Sequence, residues 1–178
     1  MNNKEYWDSF YNNFDINEPT TFAKFCMKYI GQGENIIDIG CGNGRDSYFF
    51  AKNKIKVTGI DMSIEPKNKK NVIFLKNDFK HYKHFSEKVY GRFFLHSISE
   101  QDIHVLFRMA KGMVMLEFRD KDDIPIIYHH PRTHIEGNKI LMFLVNNNFN
   151  ILFYEKSRGL AVFKNEDPLI CRIIAERK

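Results

Sequence analysis

The chain has 178 residues, 43% of them apolar and 28% charged, with a formal net charge of +5. That is enough for one domain with a real core. No apolar run approaches the roughly 20 residues that span a bilayer, and the opening Met1-Asn-Asn-Lys-Glu5 shows no leader pattern, so the reading is a cytoplasmic protein. Cys26, Cys41 and Cys171 are odd in number and lack CxxC spacing, which argues against a disulfide framework or a cysteine zinc site. The positive balance permits an anionic partner without requiring one. The Lys67 to Lys70 run reads as a solvated loop.

In chain order, Tyr6, Trp7, Phe10 and Tyr11 share one face of a predicted helix over 5–12. That helix either packs on the core or lies as a lid over a ligand. Pro19 breaks the pattern, and Thr20 caps a second predicted helix running to Ile30 before Gly31 and Gly33. Strands follow at 35–39, 56–61, 72–76, 89–96 and 113–118, with helices at 45–53 and 100–111 between them. A helix over 133–146 and strands over 149–155 and 169–176 complete the chain. Short apolar strands alternating with helices predict an α/β fold, a parallel sheet wrapped by helices. No linker divides it. The expectation is one domain over 1–178, with helical residues 1–31 preceding a sheet core over 32–178.

The first strand runs into Asp38-Ile-Gly-Cys-Gly-Asn-Gly44, a glycine loop that opens a helix. Glycines there let backbone approach a ligand at a helix N-terminus. The spacing is not that of a P-loop. Asp38, just before the loop, would repel a pyrophosphate but suits an ammonium group. Asp61 ends the second strand, where an acid can accept both hydroxyls of a ribose. Asn77-Asp78-Phe79 follows the third strand. There an Asp can accept from an adenine amino group, and an apolar neighbour can stack on the ring. Each feature alone has a plain alternative: a tight turn, a helix cap, a loop acid. Together, at three successive strand ends, they describe a nucleoside site.

These residues resemble the class I S-adenosylmethionine-dependent methyltransferases over essentially the whole chain. Asp38 to Gly44 matches their first motif, Asp61 the acid after strand two, and Asn77-Asp78-Phe79 the adenine-side motif. The resemblance implies a Rossmann-like, seven-stranded, mostly parallel sheet with helices on both faces and the last strand antiparallel. It implies S-adenosylmethionine as cofactor, held by Asp38, Gly40, Cys41, Gly42, Asn43 and Gly44 of the loop. Tyr11, Asp46, Asp61, Met62, Asp78 and Phe79 complete that set. The aromatic opening and Asn43-Gly44-Arg45-Asp46 are similar to a small-substrate branch of tellurite-resistance and thiopurine type. Tyr90 to His96, Arg158-Gly-Leu-Ala161 and Glu166-Asp-Pro168 resemble methyltransferases of bacterial capsule and surface-polysaccharide synthesis. Unlike most relatives, only Met62 to Asn71, with Pro66, joins strands two and three, a shortened crossover that opens the adenine pocket.

Acceptor contacts should come from the ends of strands four and five and the loops after them. Arg92, His96, Arg119, His130, Arg132 and Arg158 fall there, with Tyr6 from the opening helix. Arginine suits bidentate phosphate or carboxylate recognition, so the expected acceptor is a small anionic molecule, phosphorylated or nucleotide-linked. Alternatively, Arg92 and Arg119 pair with Glu117, Asp120 or Glu100. His96 is the candidate general base beside Arg92, or else an interior histidine. His129, His130 and His134 lack HExxH spacing and an accompanying carboxylate, so no metal is expected. Arg92-Phe-Phe-Leu95 stands where base-methylating enzymes carry an Asn/Asp-Pro-Pro-Tyr signature, which argues against a nucleic-acid acceptor. The other readings are a nucleic-acid methyltransferase and a non-catalytic, methyltransferase-like partner protein.

Overall fold

A computed structural model describes residues 18–63, 66–123 and 135–178. The helix expected over 5–12, with Tyr6 and Tyr11, and the loop with His130 and Arg132 lie outside them. Seven strands form one sheet: β1 (Asn35–Ile39), β2 (Lys56–Asp61), β3 (Val72–Lys76), β4 (Ser86–Arg92), β5 (Ala110–Arg119), β6 (Phe149–Ser157) and β7 (Ile170–Arg177). Their order is β3-β2-β1-β4-β5-β7-β6. The pairings from β3 to β5 are parallel, and β7 runs antiparallel to both β5 and β6. The strand order thus reverses between the neighbours β1 and β4. Open α/β sheets bind ligands at the carboxyl ends of strands flanking such a point.

The central strands β1, β5 and β7 are buried on both faces, whereas the edge strand β6 alternates with exposed residues. Val114, Leu116 and Phe118 of β5 join a core with α3 (Glu100–Met109) and α4 (Gly137–Asn146). Met113 and Met115 of the same strand join a second core with α1 (Thr21–Cys26) and α2 (Arg45–Lys52). The period of two along a strand sorts its side chains between these layers.

Helix ends follow local chemistry. Thr20 Oγ1 caps α1 by accepting from the Ala23 amide at 3.0 Å. The helix is shorter than expected, turning 3₁₀ over Met27–Tyr29. Ser99 caps α3 through the Asp102 amide, and Arg177 of β7 closes its far end by donating to the Phe107 and Ala110 carbonyls. The described part of the helix expected from 133 begins at Gly137, whose amide donates to Asp120 Oδ2 at 2.9 Å. A Cβ at Gly137 would lie 2.6 Å from Cys171 Sγ, so glycine is what allows this close seat. β4 starts and ends earlier than expected, and Leu95–Ser97 is a 3₁₀ turn rather than strand.

Candidate active site

The glycine loop leaves β1 with Gly40, Gly42 and Gly44 all at positive φ, 68°, 53° and 79°. The Gly40 and Cys41 amides both donate to the Ile60 carbonyl, which latches the loop to β2. A Cβ at Gly40 would sit 2.7 Å from the Phe94 ring, and one at Gly44 2.6 Å from the Phe74 ring. Backbone conformation and space therefore both require glycine at these two positions.

Three carboxylates surround the loop. Asp61 Oδ2 accepts from the Gly42 amide at 3.0 Å and Oδ1 from the Ser63 amide at 2.8 Å. These two bonds hold the carboxylate at the end of β2, on the cavity wall. Asp38 is 3% exposed and accepts from Ser47 Oγ of α2. Burial is the main force on it and pushes its pKa up to about 8. Asp46 and Asp61 add repulsion, and the Ser47 bond opposes it. Asp46, expected beside the cofactor, is instead spent inside the fold. Its Oδ1 takes the Thr20 amide at 2.8 Å, and its Oδ2 takes Thr20 Oγ1 and Tyr90 Oη at 2.9 and 2.7 Å. It ties α1 to α2. Cys41 turns Sγ toward Gly59, within 3.0 Å of where a Cβ would be. Burial raises its thiol pKa well above the ordinary value.

A cavity of about 830 Å³ opens at the carboxyl ends of the strands. Gly40, Asn43, Asp61, Met62, Asp78 and Phe79 line one end. Arg92, His96 and Arg119 line the other. So nine of the described residues expected to touch cofactor or acceptor share one space, whereas Asp38, Cys41, Gly42, Gly44 and Asp46 do not line it. Asp78 caps the 3₁₀ turn Phe79–His81 through the Lys80 amide at 3.0 Å. Phe79 is buried against the Phe94 ring, edge to face at 5.1 Å. The shortened crossover forms no helix in its described part. Tyr48 of α2 bonds the Lys67 carbonyl at 2.7 Å, and Pro66 lies over Gly44. The crossover is thereby strapped onto α2.

The basic groups divide into distinct roles. Arg92 Nε donates to Glu117 Oε1 at 2.7 Å, while Arg172 Nε of β7 donates to Glu117 Oε2 at the same distance. Glu117 is 1% exposed. Burial disfavours the Arg92 charge, but the Glu117 carboxylate outweighs it and keeps the guanidinium ionised. Arg92 also stacks on the Phe93 ring at 4.2 Å, and Phe93 itself holds a left-handed φ of 54°. Arg119 pairs with Glu166 on the loop between β6 and β7. His96 is 4% exposed and still lines the cavity, its ring 5.7 Å from that of Phe93. Arg158 corrects an expectation: it faces Asp123 at 3.1 Å and the Asp167 carbonyl and does not line the cavity.

Sequence reasoning missed one wall. Leu160, Val162, Phe163 and Glu166, from the loop between β6 and β7, line the acceptor end, as Pro19 and Thr20 do from the start of α1. The motifs Arg158 to Ala161 and Glu166 to Pro168 fall in that loop, but of its residues only Arg158 was expected at the acceptor, and only strand order brings the loop to the cavity.

The comparisons with known proteins agree with this geometry. Residues 30–88, from just before β1 into β4, match a family profile described as a methyltransferase domain. Magnesium protoporphyrin IX methyltransferase from Synechocystis PCC 6803, solved with bound S-adenosylmethionine, is 16% identical. It superposes with a TM-score of 0.68 over 96% of this chain and 79% of that one. A methyltransferase from Methanosarcina mazei is 17% identical, with a TM-score of 0.70 over 86% and 96% of the two chains. The chain has the fold of the S-adenosylmethionine-dependent methyltransferases. The 1,6-didemethyltoxoflavin-N1-methyltransferase of Burkholderia thailandensis shares this methyltransferase fold at 15% identity, with a TM-score of 0.69 over 88% and 76%. No curated protein sequence matches the chain.

Proposed function

We propose that this protein transfers a methyl group from S-adenosylmethionine to the oxygen or nitrogen of a small acceptor bearing an anionic group. The observation that carries the reading is a single cavity. It joins the glycine loop and Asp61 at one end to His96 and Arg119 at the other. The residues fit the cofactor's chemistry: a glycine cradle, a backbone-anchored carboxylate for hydroxyls, and apolar Phe79 and Met62 for a base. When bound, S-adenosylmethionine supplies an electrophilic methyl group on a sulfonium centre.

The chain's own residues then have four tasks. The glycine loop and Asp61 bind and orient, which matters because in-line displacement is governed by positioning. Phe94, packed against Gly40, keeps water from the reacting end. Arg92, fixed by Glu117, and Arg119 attract the acceptor's negative group. His96 takes the proton released from an acceptor hydroxyl on an imidazole nitrogen. A phosphorylated or nucleotide-linked sugar meets this description, and the sequence resemblance to surface-polysaccharide enzymes supports that choice.

Calorimetric titration with S-adenosylhomocysteine tests the cofactor half. Micromolar binding is expected, and Asp61→Ala should weaken it at least tenfold, about 1.4 kcal/mol or more. Unchanged affinity in that variant overturns the ribose assignment.

A further inference from the structure

Of the two arginines at the acceptor end, one is locked and one is exchangeable. Arg92 meets Glu117, which is 1% exposed and shared with Arg172. No solute can replace that carboxylate without leaving buried charges uncompensated. Arg119 meets Glu166, whose side chain is 46% exposed. An ion pair with one solvent-facing partner is weak and readily exchanged. Both members of this second pair line the cavity, beside Arg92 and His96.

The loop carrying Glu166 does not depend on the pair for its position. The Leu160 carbonyl accepts from Arg172 Nη2 at 3.0 Å and from Thr21 Oγ1 at 2.9 Å. Asp167 accepts from the Gly159 amide, and Phe163 and Glu166 exchange backbone hydrogen bonds at 3.0 Å. The Glu166 side chain can therefore rotate away from Arg119 Nη2 without moving the backbone of its loop.

We propose that Glu166 is an internal stand-in for the acceptor's anion. Its carboxylate occupies the recognition face of Arg119 until a phosphate or carboxylate group of the acceptor displaces it. Arg119 is then the specificity-determining arginine, and Glu166 sets the threshold a ligand must exceed. A neutral acceptor leaves the pair closed. This inference deepens the acceptor half of the proposed function and rests on it.

Inorganic phosphate is the probe, titrated calorimetrically into the full chain at constant ionic strength, because screening alone weakens exposed pairs. Glu166→Gln keeps the shape and removes the competing charge. It should bind phosphate three- to tenfold more tightly than the wild-type protein. Adding Arg119→Gln should erase that gain, and Arg119→Lys in its place should keep part of it, since the charge remains without the two-pronged donor face. Equal phosphate affinity in wild type and Glu166→Gln overturns the proposal. So does a gain that survives Arg119→Gln, which would place the anion elsewhere. Titrating wild type with S-adenosylhomocysteine is the separate arm. Failure there removes the methyltransferase reading, whereas cofactor binding without any effect of Glu166 removes only the displacement idea.

Discussion

Asp38 carries a cost that depends on pH. Its buried carboxyl titrates at about 8 in the fold, against an ordinary 3.8. A raised acid pKa means that the folded protein holds a proton the unfolded chain has lost between those values. Stability from this group is therefore fully present below about pH 4 and drains away as pH rises toward 8, at up to roughly 1.4 kcal/mol per pH unit. Urea denaturation should show stability falling from pH 5 to pH 8, and Asp38→Asn, neutral throughout, should flatten that slope. An identical slope in the variant would assign the effect to another group. Asp38, Gly40 and Asp61 were legible as candidates because their signal is local, a strand end beside a turn, and of the three Gly40 and Asp61 line the cavity. The partners of Asp46 were not legible: Thr20 and Tyr90 are remote in sequence and meet only where α1 crosses α2.

At the scale of elements, Glu117 joins β4 to β7 through β5, with one guanidinium on each oxygen. Glu117→Gln would leave two arginines facing a neutral amide in a buried layer. Losing one partner of a buried pair costs about 3–5 kcal/mol, and chemical denaturation should report a loss of that order. A change below about 1 kcal/mol would show that the two arginines relax to other partners. The order of strands and helices was readable from apolar runs and their punctuation. Boundaries were less so, because tertiary partners set them. The first amide of α4 donates to the Asp120 carboxylate just past β5, and the sequence expectation of a strand to His96 missed the turn that places this histidine in the cavity wall.

For the whole molecule, a ligand that binds only the folded state stabilises it by mass action. S-Adenosylhomocysteine at one hundred times its Kd should add about 2.7 kcal/mol. For a chain of 178 residues, that amounts to a rise in Tm of roughly 5–11 °C. A melting curve unmoved at millimolar ligand would mean that the cradle does not bind the cofactor. The fold class, the glycine loop and the placing of acids at the ends of β2 and β3 were determined by the sequence alone, because strand periodicity, positive-φ glycines and strand-end residues act within a few positions. Tertiary structure decided which charges are available. Burial and distant partners spend Asp46 and Arg158 on the scaffold, lock Arg92 to Glu117 and hold Arg119 under an exposed Glu166. Electrostatic strength depends on solvent access and on what lies across the gap, and neither is written in the spacing of residues along a chain.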